Sequence, residues 1–569
     1  MIEQASLVLG NGNWAVKSDS LLGYKTIDGK YYPREFTFTR ATTGTRVNEA
    51  GLVELVPYNL LRYSEEFDNA VWSKTSVTVT VNATTSPSGV LTADKLIPSG
   101  LDSYVRYMSF NGTAGSVYTF SFYAKADVIT NIRIRQFNAT ELNGTVEYIT
   151  INNQWQRFTV TSTCAVNQQV QLWIGGSSTW STGEDIYVWG AQLVEGTEPL
   201  DYLPTTDRLD IARIDYSTGE PALLLEPQRT NLCTYSEQFD NSIWNKSNVT
   251  VTANTTISPS GVVNADTITA DGTNVSHYLY NNNLYSVISG NRYTISTYAK
   301  KNTNNFIQLQ GFFNTFGANV WANFDLNNGV LGSIGSATTA EIKSIGNGWY
   351  RCSITGTAIT SAVNVDVLSI VTSATSIRGE LNTLTTSVYL WGFQSELGSY
   401  ATSYIPTTSA TVTRNQDVCD KTSATALIGQ TEGTVLIDID LKLNNRFQTL
   451  WSLSDGISTS DFILVYHTDV NTLSARMRIG GVDQILINTA TLPQGRYKLA
   501  MAYKENDVAF YVNGSLVGTD NSCAVPSPLN KISLTQIGTI INVREGFTKG
   551  FALWKTRLTN AELATLTTI

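Results

Sequence analysis

The chain of 569 residues has few charged side chains, few methionines and only two histidines. Charged residues make up 15% of the sequence, whereas an average globular protein has about 25%. Exposed helices draw support from ion pairs between residues three or four positions apart, so this shortage disfavours a helical protein. Hydrophobic residues make up 42%, which is enough to build cores and excludes a disordered chain.

The sequence also lacks basic clusters and long apolar runs. The net charge is −9 and no group of Lys and Arg stands out, so we expect no nucleic-acid binding. No apolar run reaches the roughly 18 residues of a membrane-spanning helix. The first five residues have neither a basic nor an apolar region, which predicts the absence of a signal peptide and synthesis in a cytoplasm.

Residues for metal or acid–base chemistry are scarce. The five cysteines are scattered without CxxC spacing and are expected to be small buried side chains, not a disulfide framework or a zinc site. The histidines, His277 and His467, are too few for a triad in each repeat, and we place His277 at a surface or turn. No motif singles out a carboxylate pair of the kind that a glycosidase needs. We therefore predict no catalytic residue.

Thr, Ser, Asn and Val are abundant, aromatic residues make up 10%, and there are 42 glycines. β-branched and aromatic residues favour pleated, half-buried surfaces. Many short alternating segments separated by Gly, Asn and Ser are typical of sandwiches. The composition predicts an all-β protein.

A long repeat organises the sequence. Residues 59–74 recur as 231–246, and Trp72 corresponds to Trp244. Two further tryptophan pairs follow, Trp155 with Trp349 and Trp189 with Trp391. We expect these paired tryptophans to lie in a core. Between the Tyr-Ala-Lys and Trp-x-Arg markers the second copy is nineteen residues longer, which predicts an insertion in a surface loop or an edge hairpin.

The C-terminal part, from about residue 415, has a different pattern. Residues 508–517 read as a strand, a turn at Asn513-Gly514 and a second strand, because Asn-Gly tolerates the positive φ angles of a tight hairpin. Near the end, Thr559 and Glu562 have the spacing of a capping box, which predicts one short terminal helix.

These motifs resemble a known kind of protein. The opening Asn-Leu-x-x-x-Ser-Glu-x-Phe-x-x-x-x-Trp and the closing Trp-Gly-x-Gln, followed by Tyr-(Leu/Ile)-Pro-Thr-Thr, resemble carbohydrate-binding-module-like jelly rolls of tailed-bacteriophage appendages. The lead-in at 38–54 looks like a segment that precedes such domains in phage fibres. The C-terminal part is similar to a concanavalin A/laminin G-like sandwich through 511–514 and 551–563.

The resemblance implies an all-β chain of tandem jelly-roll sandwiches with a C-terminal concanavalin A-like sandwich. We predict an N-terminal extended docking segment, two jelly-roll modules joined by a linker, and the C-terminal domain. The predicted bounds are 1–58 for the segment, 59–206 for module one, 207–230 for the linker, 231–414 for module two and 415–569 for the C-terminal domain. We expect the first segment to become ordered on a partner chain or on the first jelly roll, because it is too short for a core of its own.

Ligand contact requires exposed aromatic rings, so the unpaired tryptophans Trp173, Trp180 and Trp321 are the candidates for sugar binding. Related sandwiches bind calcium, which prefers oxygen ligands. The candidate ligands here are the carboxylates of Asp438, Asp440, Asp455 and Asp461. The alternative for these four is that they are solvated acids at strand ends. No other cofactor is predicted.

The resemblance implies a non-catalytic virion fibre or spike subunit that binds host surface glycans and contacts other virion proteins through its N-terminal segment. We expect a homotrimer, since several weak sugar sites gain from avidity. One alternative is a structural virion protein without a ligand. Another, less favoured, is a glycan-degrading enzyme.

Overall fold

The computed structural model describes residues 4–10, 15–17, 20–27, 30–40, 42–56, 58–112, 114–138, 140–176, 180–200, 202–205, 212–282, 285–364, 366–442, 447–541 and 543–569. Strands make up 53% of the residues and helix 3%, which confirms the all-β prediction. The chain forms two compact units, one of Val16–Ser20 with Pro57–Ile211 and one of the remaining residues. Among the described residues, no helix is long and apolar enough to span a membrane.

The first jelly roll consists of two five-stranded antiparallel sheets that face each other across one core. Its strands are β8 Trp72–Thr75, β9 Val77–Thr84, β10 Ala93–Pro98, β11 Tyr104–Asn111, β12 Val117–Lys125, β13 Thr130–Asn138, β14 Thr140–Ile151, β15 Gln156–Thr163, β16 Gln169–Gly175 and β17 Ile186–Glu195. The sheet orders are β15-β12-β17-β10-β9 and β14-β13-β16-β11-β8. Alternation along β12 and β13 places Phe120, Phe122, Ile132 and Ile134 in the core between the sheets.

The second jelly roll has the same strand order with additional edge strands. Its elements are β20 Arg229–Asn231, β21 Trp244–Ser247, β22 Val249–Ile257, β23 Val263–Ala270, β24 His277–Asn281, β25 Tyr285–Ser286, β26 Arg292–Lys301, β27 Phe306–Gly311, α1 Phe313–Phe316, β28 Trp321–Asp325, β29 Val330–Ile334, β30 Thr339–Ser344, β31 Trp349–Thr357, β32 Val363–Asn364, β33 Asp366–Ile370, β34 Ser387–Leu397 and β35 Val412–Arg414. The sheet orders are β30-β31-β26-β34-β23-β22 and β29-β28-β27-β33-β24-β21. The extra residues of the second copy form β29 and β30, one at the edge of each sheet, which confirms the predicted edge insertion.

The paired tryptophans occupy equivalent positions. Trp72 and Trp244 are buried, and each indole Nε1 donates to a backbone carbonyl 2.9 Å away, of Tyr63 and Tyr235 respectively. Trp349 and both members of the Trp189/Trp391 pair are buried as well, whereas Trp155 is half-buried. The expectation of core packing is confirmed for all of them except Trp155.

The C-terminal part is a two-sheet sandwich with a terminal helix. Its elements are β36 Val418–Lys421, β37 Glu432–Leu441, β38 Gln448–Ser454, β39 Phe462–His467, β40 Leu473–Ile479, β41 Val482–Asn488, β42 Gly495–Lys504, β43 Val508–Val512, β44 Ser515–Asp520, β45 Lys531–Ser533, β46 Gln536–Ile537, β47 Ile540–Ile541, β48 Gly546–Trp554 and α2 Asn560–Thr567. Asn513 and Gly514 turn with φ of 47° and 80°, and Thr559 and Glu562 form the predicted capping box.

The N-terminal segment contributes strands to this sandwich. It contains β1 Leu7–Gly10, β2 Ala15–Lys17, β3 Ser20–Ile27, β4 Lys30–Glu35, β5 Thr37–Thr39, β6 Thr45–Val47 and β7 Val53–Leu55. β1 pairs with β48 in one sheet, and β5 pairs with β36 in the other. For β1 and β5, the expectation that the first jelly roll or a partner chain orders the segment is therefore wrong. The physical reason is that Leu7, Leu9, Phe36 and Phe38 complete the C-terminal core.

The predicted linker, 207–230, also contains strands. They are β18 Arg213–Asp215 and β19 Ala222–Leu225, and β19 pairs with β48. Leu223 and Leu225 are fully buried in the C-terminal core, which explains why this stretch is ordered as part of a sheet. Arg213 of β18 forms ion pairs with Glu226 at 2.7 Å and with Asp417, so the segments on either side of the second jelly roll are held together by a buried charge network.

Candidate functional site

Two rows of side chains cross the outer face of the β29-β28-β27-β33-β24-β21 sheet, which we call face two. Residues directly opposite each other in an antiparallel pair project to the same side, so the register defines the rows. The first row is Tyr280, Val367, Gln310 and Trp321, and the second is Tyr278, Ser369, Gln308 and Asn323. The alternate residues Leu279, Leu309 and Leu368 point into the core.

Face two contains a cavity of about 480 Å³ with aromatic walls. Tyr278 and Tyr280 lie with nearly parallel rings, 6.3 Å between centroids at 24°. Phe313 of α1 forms another wall and is 59% exposed. Within the part of the chain that the structure describes, neither tyrosine hydroxyl has a hydrogen-bond partner. The cavity thus offers apolar ring surfaces together with two free hydroxyl groups.

The polar floor of this cavity is fixed by internal hydrogen bonds. The Gln310 side chain donates through Nε2 to Ser369 Oγ at 2.9 Å and accepts at Oε1 from Arg378 Nε at 3.2 Å. Arg378 also donates to the carbonyls of Gly317 and Gly311, at 2.9 and 2.6 Å. Burial lowers the pKa of the Arg378 guanidinium. Because these side chains are already held in place, a ligand would not have to order them.

The equivalent surface of the first jelly roll, face one, has different side chains. One row across the β14-β13-β16-β11-β8 sheet is Arg106, Trp173, Arg135 and Val146. Arg133 lies two residues from Arg135 and opposite Tyr148, which is 73% exposed. Strand register matches Arg106 to Tyr280, Trp173 to Val367 and Arg135 to Gln310. Face one therefore has cationic side chains at strand positions where face two has uncharged ones.

The three predicted tryptophans have three different environments. Trp173 lies on face one, but its ring is covered by the guanidinium of Arg135, 3.9 Å from the centroid, and by Tyr104 at 4.2 Å. Trp321 lies half-buried in a row of face two. Trp180 has no exposed surface and donates through Nε1 to the Glu184 carbonyl at 2.7 Å, so it is a core residue that cannot contact a sugar.

Sequence reasoning missed Tyr278, Tyr280 and Phe313. The alternation Tyr278-Leu279-Tyr280 was an available signal, since a strand with a buried leucine places both tyrosines on the opposite side. His277, expected at a surface or turn, is fully buried. Its Nδ1 and Nε2 lie 2.8 and 3.1 Å from the carbonyls of Asn248 and Asn382, which makes it a structural residue. The five cysteines are free and buried, as predicted.

The four aspartates proposed for calcium are engaged separately. Asp438 forms an ion pair with Arg496 at 2.7 Å, and Asp440 lies 3.6 Å from Lys549 Nζ. Asp455 accepts from the backbone N–H groups of Ile457 and Ser458, and Asp461 accepts from Gly480 N–H at 3.0 Å. No group of three or more His, Cys, Asp or Glu side chains suited to a metal occurs among the described residues. These four do not form the predicted calcium site.

A second, charged cavity lies where β30 of the second jelly roll meets the C-terminal sandwich. Its walls include Lys343, Lys442 and Glu545, and Lys442 Nζ lies 3.5 Å from Glu545 Oε1. Burial raises the pKa of Glu545 well above its usual range and lowers that of Lys343. The cavity measures about 100 Å³, which is below the roughly 300 Å³ at which ligand pockets begin. Face two is the better candidate.

No protein-family model matches the chain, and no curated protein matches it. Solved structures with similarity include the sialidase CBM40 of Ruminococcus gnavus bound to α2,3-sialyllactose, with 17% identity, TM-score 0.24 and coverage of 26% of this chain and 87% of that one. Another is a mutant of the NanB sialidase of Streptococcus pneumoniae, with 15% identity, TM-score 0.23 and coverage of 26% of each chain. A Limulus polyphemus SAP-like pentraxin matches with 18% identity, TM-score 0.20 and coverage of 24% of this chain and 69% of that one.

These similarities span about a quarter of the chain, and their TM-scores are low. The function is therefore argued from the side chains of the two faces. None of them identifies the C-terminal sandwich with a concanavalin A-like domain or the chain with a bacteriophage. Both assignments stay predictions from the sequence.

Proposed function

We propose that this protein binds glycans without cleaving them, and that face two of the second jelly roll is a binding site. The observation that carries the proposal is the cavity of about 480 Å³ with Tyr278, Tyr280 and Phe313 on its walls and a fixed polar floor. The volume is in the range of small-molecule sites, which are lined by aromatic residues with a few placed polar groups. Sugar rings present apolar C–H faces to aromatic rings and hydroxyls to polar groups.

Two features support a binding role without catalysis. Glycoside hydrolysis uses two carboxyl groups on either side of the scissile bond. The described residues that line the cavity include no Asp or Glu. The floor residues Gln310 and Arg378 hydrogen-bond to the protein itself, an arrangement that positions a ligand and includes neither a carboxylic acid nor a carboxylate base.

We further propose that the protein is a homotrimeric virion fibre or spike component whose glycan lies on a host surface. The sequence resemblance supports this placement, and avidity from repeated weak sites supports the oligomer. Light scattering on the purified protein tests the trimer, and a monomer would contradict it. A purely structural virion role is the competing hypothesis. Glycan binding by the purified protein would distinguish the two.

The decisive experiment is a glycan array with the full-length protein, followed by calorimetry on the neutral glycans that bind. We expect Tyr278→Ala with Tyr280→Ala to weaken this binding at least tenfold, about 1.4 kcal/mol. The matched control is Tyr389→Ala, a half-buried tyrosine of the opposite sheet in the same jelly roll, which should leave affinity unchanged. Absence of any bound glycan, or full affinity in the double variant, would overturn the proposal.

A further inference from the structure

The two faces differ in charge, and that difference suggests a second site. Face one has arginines at positions 106, 133 and 135, where face two has Tyr280, Gln308 and Gln310. Neighbouring strands lie roughly 5 Å apart, so the three guanidinium groups share one patch of the sheet. Like charges close together repel one another, and an anion that binds Arg106 and Arg133 would relieve this repulsion.

Arg106 and Arg133 have no anionic partner among the residues that the structure describes. Within the described part of the chain, neither side chain has a hydrogen-bond acceptor or an ion pair, and the Nε of each is buried without a partner. Both side chains are half-buried, and a buried N–H group without an acceptor is costly because its desolvation is not compensated. Glu147, the described carboxylate on the adjoining strand, is paired with Ile134 and projects to the opposite side of the sheet.

Cation–π contacts hold two of the arginines, Arg106 and Arg135, on face one. The Trp173 ring centroid lies 5.0 Å from the Arg106 guanidinium carbon and 3.9 Å from that of Arg135. Tyr104 adds a further contact with Arg106 at 5.9 Å. These contacts restrict the Arg106 side chain while leaving its N–H groups available for hydrogen bonds. Trp173 is thus a positioning residue, and the exposed ring of Tyr148 beside Arg133 is the surface open to a sugar.

We propose that face one binds an acidic polysaccharide, with Arg106 and Arg133 donating to its carboxylate or sulfate oxygens and Tyr148 contacting a sugar ring. The planar guanidinium matches both anions through paired hydrogen bonds. This inference extends the proposed function from neutral glycans at face two to a second ligand class at a different surface. It rests on glycan binding as the protein's role but not on face two itself.

The experiment measures binding of the full-length protein to polygalacturonate, dextran sulfate and unmodified dextran by calorimetry or biolayer interferometry. We expect binding to at least one acidic polymer, and a roughly ten- to hundredfold loss in Arg106→Gln and Arg133→Gln, as for hydrogen bonds to charged groups. Arg292→Gln is the matched control, an exposed arginine on β26 of the second jelly roll, and should bind like the wild type. Comparing the two acidic polymers distinguishes carboxylate from sulfate recognition.

Tyr278→Ala with Tyr280→Ala serves as a second comparison. If it removes binding of neutral glycans and leaves the acidic polymer bound, the two sites are independent, as proposed. Acidic binding that survives Arg106→Gln and Arg133→Gln, or that Arg292→Gln reduces equally, would identify nonspecific charge attraction and overturn the proposal. Absence of binding to both acidic polymers while neutral glycans bind would overturn this inference and leave the proposed function intact.

Discussion

The two jelly rolls share their internal hydrogen bonds and differ on their outer faces. Asn59 donates to the carbonyls of Ala191 and Leu203 and accepts from the N–H groups of Leu61 and Leu193, at 2.9 to 3.1 Å. Asn231 makes the same four bonds in the second copy, at 2.8 to 3.1 Å. Each asparagine ties the opening segment to the last long strand and to the closing tail.

A second buried group is shared in the same way. Asp94 accepts from the backbone N–H groups of Phe67 and Asn82, and Asp266 accepts from those of Phe239 and Asn254. Buried backbone groups are costly when unsatisfied, so substitutions at these positions are heavily penalised in either copy. Outer-face positions such as Arg106 and Tyr280 have no such role. The two jelly rolls have the same scaffold, yet the side chain at this equivalent position is cationic in one and neutral in the other.

The largest effect should come from removing the shared asparagine. Asn59→Ala and Asn231→Ala each leave four buried backbone groups without partners, so we expect a loss of about 4 kcal/mol in the stability of the affected jelly roll. Hydrogen exchange resolved by mass spectrometry measures this, because it reports each jelly roll separately.

The exposed residues Asn131 and Asn274 provide controls, and their alanine variants should change stability by less than about 0.5 kcal/mol. Faster exchange restricted to 59–205 in the first variant and to 231–414 in the second is the expected pattern. Equal exchange in wild type and variants would show that these hydrogen bonds do not hold the scaffold.

The scaffold was predictable because its markers are local and duplicated. The constant spacing of Trp72 and Trp244 within their motifs predicted a shared scaffold, and the nineteen-residue difference before Trp349 predicted where the extra edge strands lie. The faces were not predictable, because Tyr280, Val367, Gln310 and Trp321 come from four strands whose register is set by tertiary pairing.

The burial of individual tryptophans could not be predicted from the sequence either. Trp173 and Trp180 are only seven residues apart, yet Trp173 lies on an outer face and Trp180 lies in the core. The pairing of β1 with β48 joins residues more than 500 positions apart, and no local pattern reveals such a contact. Non-local pairing therefore explains the misplaced N-terminal segment, and burial in the core explains the mistaken choice of Trp180.

The next largest effect concerns pH, because the second jelly roll has a buried acid at a strand position where the first has a leucine. Burial raises the pKa of Asp366 to about 6, although Tyr285 and Asn364 donate to its carboxyl oxygens at 2.8 and 2.9 Å. Leu172 occupies the equivalent strand position in the first copy. The pKa of Asp94 and that of Asp266 are both raised to about 6, so their contributions cancel in a comparison of the two copies.

A folded-state pKa above the unfolded value means that the native state binds the proton more tightly. The stabilisation from Asp366 is therefore complete below pH 4 and is lost as the pH rises towards 6. We expect the second jelly roll to lose up to about 3 kcal/mol relative to the first between pH 4 and pH 7. Hydrogen exchange corrected for intrinsic rates measures the difference, and Asp366→Asn should abolish it. An unchanged difference across this range would contradict the assignment.

The smallest expected effect is the salt dependence of ligand binding, which separates the two faces without any substitution. Attraction between guanidinium groups and an acidic polymer is screened by salt, whereas contacts between tyrosine rings of face two and a neutral glycan are not. Raising NaCl from about 50 to about 500 mM should weaken binding of the acidic polymer roughly tenfold, about 1.4 kcal/mol, and change neutral-glycan affinity by less than about twofold. Calorimetric titrations at three salt concentrations measure both ligands on the same preparation. An equal salt dependence for the two ligands would mean that both bind through the same charged surface. This result would contradict the assignment of acidic polymers to face one and neutral glycans to face two.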